Sequence, residues 1–177
     1  MELFSVIENV NLSSETAPFL VPNMFVNYNE SSAVVAKARE LAQGAANQGD
    51  VVRNIYQWVV DNITYDHDKA AQLASATGYV PDPDATLASG TGICFDYASL
   101  GAAMLRSLGI PCQVITGYVS PDDVYHAWNM VYIDGEWISV EISIKPNSWT
   151  RVDLTFAASG AASTIGDGTS YTDRYTY

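Results

Sequence analysis

The chain has 177 residues, 48% of them hydrophobic and 16% charged, and its 20 acids against 8 bases give a net charge of −12. The apolar share excludes disorder as the main state, and the surplus of acid excludes a binder of phosphate backbones and works against anionic membrane surfaces. At this length one domain is expected, and no run approaches the ~18 consecutive apolar residues of a membrane helix.

Residues 1–30 read as an arm laid on the body, with short strands expected at Leu3-Phe4-Ser5-Val6-Ile7 and Met24-Phe25-Val26-Asn27-Tyr28, and Pro18 and Pro22 as breakers between them. Met1-Glu2-Leu3-Phe4 has no basic n-region, so no secretory signal is visible. Scarce lysine (Lys37, Lys69, Lys145) beside many Ser, Thr and Tyr nonetheless suits a secreted or cell-surface bacterial protein.

The spacing of Val34, Val35, Ala38, Leu41, Ala42 and Ala45 predicts a helix over 31–46, capped by Ser31 or Ser32. Gly49-Asp50 then breaks and recaps, and Val52, Ile55, Tyr56, Val59 and Val60 predict a second helix over 51–62. Residues 63–93 are loop-rich, with a helical turn at 70–76 and a turn cluster at Pro81-Asp82-Pro83-Asp84. A buried helix over 94–108 follows, from Tyr97, Leu100, Gly101, Met104, Leu105 and Leu108; Gly109 and Pro111 stop it.

From Cys112 the period becomes two. Strands are expected over 113–119, 125–133, 136–144 and 149–156, with Asp134-Gly135 as a hairpin turn, and a weak last strand over 171–177. Helices precede strands, which favours α+β over a βαβ sheet. The expectation is a single domain over 1–177, made of an arm (1–30), a helical part (31–108) and an antiparallel sheet part (112–177).

Cys94 falls in the first turn of the buried helix, where free N–H groups and the helix dipole stabilise a thiolate, the nucleophilic form of cysteine. Cys112 opens an apolar strand and reads as a buried hydrophobe. The intervening helix would carry the chain ~20 Å at ~1.5 Å per residue, too far for a disulfide, which tolerates Cα separations of about 7 Å. His67, in Asp66-His67-Asp68, has no specific ligand spacing with Asp82 or Asp84, so no metal site is expected. His126 opens a strand before Ala127-Trp128-Asn129 and is the partner a nucleophilic Cys94 would need. An acid should orient its ring. With Ile133 opposite Glu136, His126 faces Ser143 and Glu141 lies diagonal to it; Asp153 is on the next strand, whose register is open. On spacing alone Glu141 leads slightly.

Gly92-Ile93-Cys94-Phe95-Asp96-Tyr97-Ala98, Gly109-Ile110-Pro111-Cys112 with Thr116-Gly117-Tyr118, and His126-Ala127-Trp128-Asn129 followed by Gly135-Glu136-Trp137 resemble, in order, the motifs of the transglutaminase-like superfamily of the papain-like fold. The resemblance covers about residues 50–156. Val140-Glu141-Ile142-Ser143 stands where the family often has its acid, with Glu for Asp. Val152-Asp153-Leu154-Thr155-Phe156 resembles the acid-bearing string of bacterial members, and this favours Asp153. The resemblance implies a Cys94–His126–Asp153 triad acting on peptide or amide bonds through a thioester, a protein or peptide substrate and no cofactor. A protein-crosslinking transglutaminase and an inactive binding module are the alternatives.

Overall fold

The computed structural model describes residues 12, 14–74, 76–119, 124–138 and 171–177. In chain order these form a 3₁₀ turn (Ala17–Leu20), α1 (Ala33–Leu41), α2 (Gln48–Asn62), β1 (Thr64–Tyr65), α3 (His67–Leu73), α4 (Pro83–Ser89), β2 (Thr91–Gly92), α5 (Cys94–Ser107), β3 (Cys112–Val119), β4 (Val124–Ile133), β5 (Glu136–Ile138) and β6 (Tyr171–Thr176). The class is α+β. Helices come first, and the main sheet is antiparallel in the order β5-β4-β3-β6.

The helix α5 is the axis of the molecule. Every residue from Asp96 to Arg106 is buried, because α1, α2 and α4 cover one side and β3 and β4 the other. A helix enclosed on all sides must be apolar almost all round, and Tyr97, Leu100, Ala102, Ala103, Met104 and Leu105 meet that demand. Its end is a glycine-terminated turn: Gly109 takes φ +76°, its N–H bonds to Arg106 O, and Ile110 N–H bonds to Leu105 O at 3.0 Å. Arg106 is buried in the last turn. Its guanidinium donates to three backbone carbonyls: Cys112 at 2.8 Å, Val21 at 2.9 Å and Tyr177 at 2.8 Å.

In the sheet, β3 and β4 pair without interruption from Cys112↔Val131 to Val119↔Val124. The turn at Asp134 (φ 54°) and Gly135 (φ 91°) uses the left-handed conformations a two-residue hairpin requires, and fixes Ile133↔Glu136. The strand β6 lies against β3 on the other edge, with an irregularity between Thr116 and Gly117.

Several expectations are corrected. Met24 to Tyr28 is not a strand; the segment bends, buries Val26 and accepts Ser99 Oγ on Phe25 O. The second helix begins at Gln48 rather than 51, because Asn47 accepts Asp50 N–H and so starts the helix ahead of Gly49. The turn cluster at 81–84 is the start of α4: Asp82 caps Ala85 N–H and Pro83 sits at the first helical position, where its missing donor costs nothing. Ser32 is the N-cap of α1, but Asp84 of α4 is what receives Val34 N–H, at 2.8 Å. The expected strand at 3–7, the strand over 149–156 and most of the strand over 136–144 lie outside the described residues.

Candidate active site

The first turn of α5 is built by close backbone approach. A Cβ on Gly92 would stand 2.7 Å from Asp96 Cβ, so only glycine fits there. That absence of bulk lets Asp96 turn back and accept Ile93 N–H at 2.8 Å, one of the amides a helix start otherwise leaves without an acceptor. Cys94 is the first residue of the helix and is partly exposed. Its neighbour Phe95 packs with Phe25 and Tyr177.

The parallel pair β1–β2 (Thr64↔Thr91, Tyr65↔Gly92) clamps the chain ahead of α3 to the chain ahead of α5. It delivers Lys69 to the Cys94 turn. Asp96 is fully buried, and besides Ile93 N–H it accepts Lys69 Nζ at 2.7 Å and Tyr79 OH at 2.5 Å. Burial alone would lower the Lys69 ammonium. The hydrogen bonds from Asp96 and Tyr79 and their charge outweigh it and hold Lys69 above the usual lysine range. Burial first, then the Asp96 carboxylate, pushes the Tyr79 hydroxyl up to about 12, so it is a donor at neutral pH. Neither Lys69 nor Tyr79 was singled out by the sequence motifs. A carboxylate expected inside a helix buried all round, in a chain with three lysines, is the signal that points to them.

His126 is buried at the third position of β4, opposite Gly117. The strand docks on α5 through Asn129, whose amide donates to Ala98 O and to Gln113 O, each at 3.0 Å. Ala127, Val131 and Ile133 alternate along β4 into the core around α5, in step with Asn129, while His126 neighbours Trp128. The His126 and Trp128 rings are stacked, 6.4 Å apart. Trp128 also leans over Gly117, where an added Cβ would meet its Cη2 at 2.9 Å. The structure thus joins the helix of Cys94 to the strand of His126, with Asn129, a residue without a role in the motif reading, as a buried tie. Asp153 and Glu141 lie outside the described residues.

Cys112 is buried and has a free thiol, as has Cys94. Burial pushes the Cys112 thiol up to about 12, with Arg106 opposing. Asp66 and Asp82 serve as helix caps, accepting Lys69 N–H and Ala85 N–H. Among the described residues, no three His, Cys, Asp or Glu side chains cluster in a way that could hold a metal.

The family model described as the transglutaminase-like superfamily matches residues 35–142, a span from α1 through α5 to past β5. The chain belongs to this superfamily. Among relatives of the transglutaminase-like chain, cytokinesis protein 3 of Schizosaccharomyces pombe is 33% identical over 120 residues, 60% of this chain and 12% of that protein. The kyphoscoliosis peptidase of Mus musculus is 31% identical over 112 residues, 58% of this chain and 16% of its own length. The chain thus spans only a small part of these relatives. A structure from Cytophaga hutchinsonii, solved as a candidate cysteine protease, superposes with a TM-score of 0.66 at 22% identity, over 94% of this chain and 48% of that one. The periplasmic domain of TgpA from Pseudomonas aeruginosa gives 0.52 at 21%, over 79% and 49%. At these identities the two structures show the shared fold.

Proposed function

We propose that the chain is a thiol-dependent hydrolase of peptide or amide bonds. The observation that carries the reading is the contrast between its two thiols. Cys94 stands partly exposed on the first turn of a helix whose dipole favours an anion there, while Cys112 is sealed in the core. In this reading the Cys94 thiolate attacks the carbonyl carbon and a C–S bond forms. The C–N bond breaks, and the leaving amine takes a proton from His126. His126 then accepts a proton from water as the oxygen attacks the thioester, releasing the acid and restoring the Cys94 thiolate beside a protonated His126. Asp153, which the string Val152-Asp153-Leu154-Thr155-Phe156 favours, orients the imidazole in this reading. Membership of the superfamily and the fold shared with the Cytophaga hutchinsonii structure support cysteine chemistry.

The test is a product analysis on a peptide mixture, with and without a high concentration of a primary amine. New peptide termini or deamidated side chains that appear in both conditions, and that vanish in Cys94→Ala, are expected. Amine adducts as the main product would instead make the chain a transglutaminase. Unchanged peptides together with a Cys94 no more reactive than an ordinary thiol would make it a binding module.

A further inference from the structure

The buried Asp96 stands two residues from Cys94, and a lone carboxylate there would oppose a thiolate. Its compensation is specific. Lys69 reaches across from α3, 27 positions away in sequence, and donates to the same Oδ2 that holds Ile93 N–H. Its own backbone N–H is fixed by Asp66 at 2.9 Å, and its ammonium lies 4.8 Å from the centre of the Tyr79 ring. We propose that Lys69 and Asp96 are a positioning pair: together they bring no net charge to the Cys94 turn, and they lock the Ile93 backbone that presents the thiol. The proposal rests on Cys94 being the nucleophile.

The other titratable groups around this turn are the same in every variant. Tyr79 donates to Asp96, Tyr65 packs on His67 and Tyr97, and Tyr177 packs on Phe95. On α4, Asp82 caps its own helix and Asp84 holds Val34 N–H. On β4, His126 stacks on Trp128. Separating the pair must therefore move Cys94 in opposite directions. Without Lys69, the Asp96 carboxylate keeps two donors, Ile93 N–H and Tyr79 OH, but loses its counter-charge beside the thiol. Without the Asp96 charge, a partly exposed ammonium remains and favours the thiolate.

The experiment is the rate of Cys94 alkylation by iodoacetamide against pH, read by peptide mapping. Relative to the parent protein, Lys69→Met should raise the midpoint by about one pH unit and Asp96→Asn should lower it by about the same, the lower end of what a neighbouring charge imposes. The double variant and Lys69→Arg should both return to the parent value. Lys69→Gln serves if Lys69→Met does not fold, because the side chain is 32% exposed. A purely structural role would lower thermal stability without this sign reversal. Single variants that move the midpoint in the same direction, or not at all, overturn the proposal. Any accessible thiol alkylates, so the profile is measurable whether or not the chain hydrolyses a substrate, and a failure of the hydrolase reading is seen separately.

Discussion

Gly117→Ala tests the packing behind His126. The new Cβ would stand 2.0 Å from Thr172 O, 2.9 Å from Thr172 C and 2.9 Å from Trp128 Cη2. An ordinary contact needs about 3.5 Å, so the β6 carbonyl must retreat by roughly 1.5 Å. Such a retreat breaks the β3–β6 ladder next to its existing irregularity at Thr116/Gly117, at about 1 kcal/mol per lost backbone bond. Overpacking against the indole adds about 1–3 kcal/mol. A total near 3 kcal/mol lowers Tm by about 6–12 °C for a chain of this size. Thermal unfolding followed by circular dichroism measures it, with Gly44→Ala as the control. Gly44 has φ +78° and nothing within 4 Å, so its alanine carries backbone strain alone, about 1–2 kcal/mol. If Gly117→Ala costs no more than Gly44→Ala, the close approach of β6 and Trp128 to Gly117 is refuted.

Iodoacetamide at pH ~6 should label Cys94 well before Cys112, since burial keeps Cys112 both inaccessible and protonated; peptide mapping that finds Cys112 labelled first contradicts the assignment. Asp153→Asn should cut turnover by ~10²–10⁴, the scale of a general-base contribution, while Glu141→Gln leaves it nearly intact; the reverse pattern moves the orienting role to Glu141. The hydroxyls of Tyr79 and Tyr97 are each pushed up to about 12, chiefly by burial, from an ordinary value near 10. Each proton is held in the fold but released by the unfolded chain above pH ~10, so stability is intact below that point and falls as pH rises toward 12. Denaturant midpoints across that window should fall less steeply in Tyr79→Phe; an unchanged slope would falsify the burial of that hydroxyl.

Much of α5 was legible because its apolar positions repeat at i, i+3 and i+4 and because Gly109 ends it. The β4–β5 register was legible from Asp134-Gly135 alone: a two-residue turn leaves a single choice of pairing, and Tyr132↔Trp137 and Val131↔Ile138 follow it. The start of α4 was misread because Pro-Asp-Pro-Asp suits a turn and a helix N-terminus equally well. The place of β6 beside β3 is a non-local choice that its weak alternation does not encode. Cys94 could be put on a helix start by local pattern. The Lys69–Asp96 contact could not be found that way, because it depends on β1 pairing with β2, two residues each, between segments nearly thirty positions apart.

The Arg106 clasp also has a consequence for the order of assembly. Its three acceptors come from residues 21, 112 and 177, so one acceptor is made long before the helix and another well after it. Until residues 171–177 arrive, the guanidinium lacks an acceptor in a place where water is scarce, and β3 is an open strand edge that can pair with another chain. At synthesis rates of about 5–20 residues per second, the seconds between completing β3 and delivering β6 are the interval in which the nascent chain is most exposed to aggregation. A ribosome-bound chain stalled just short of β6 should bind chaperone and be cut readily by protease, and the addition of those few residues should end both.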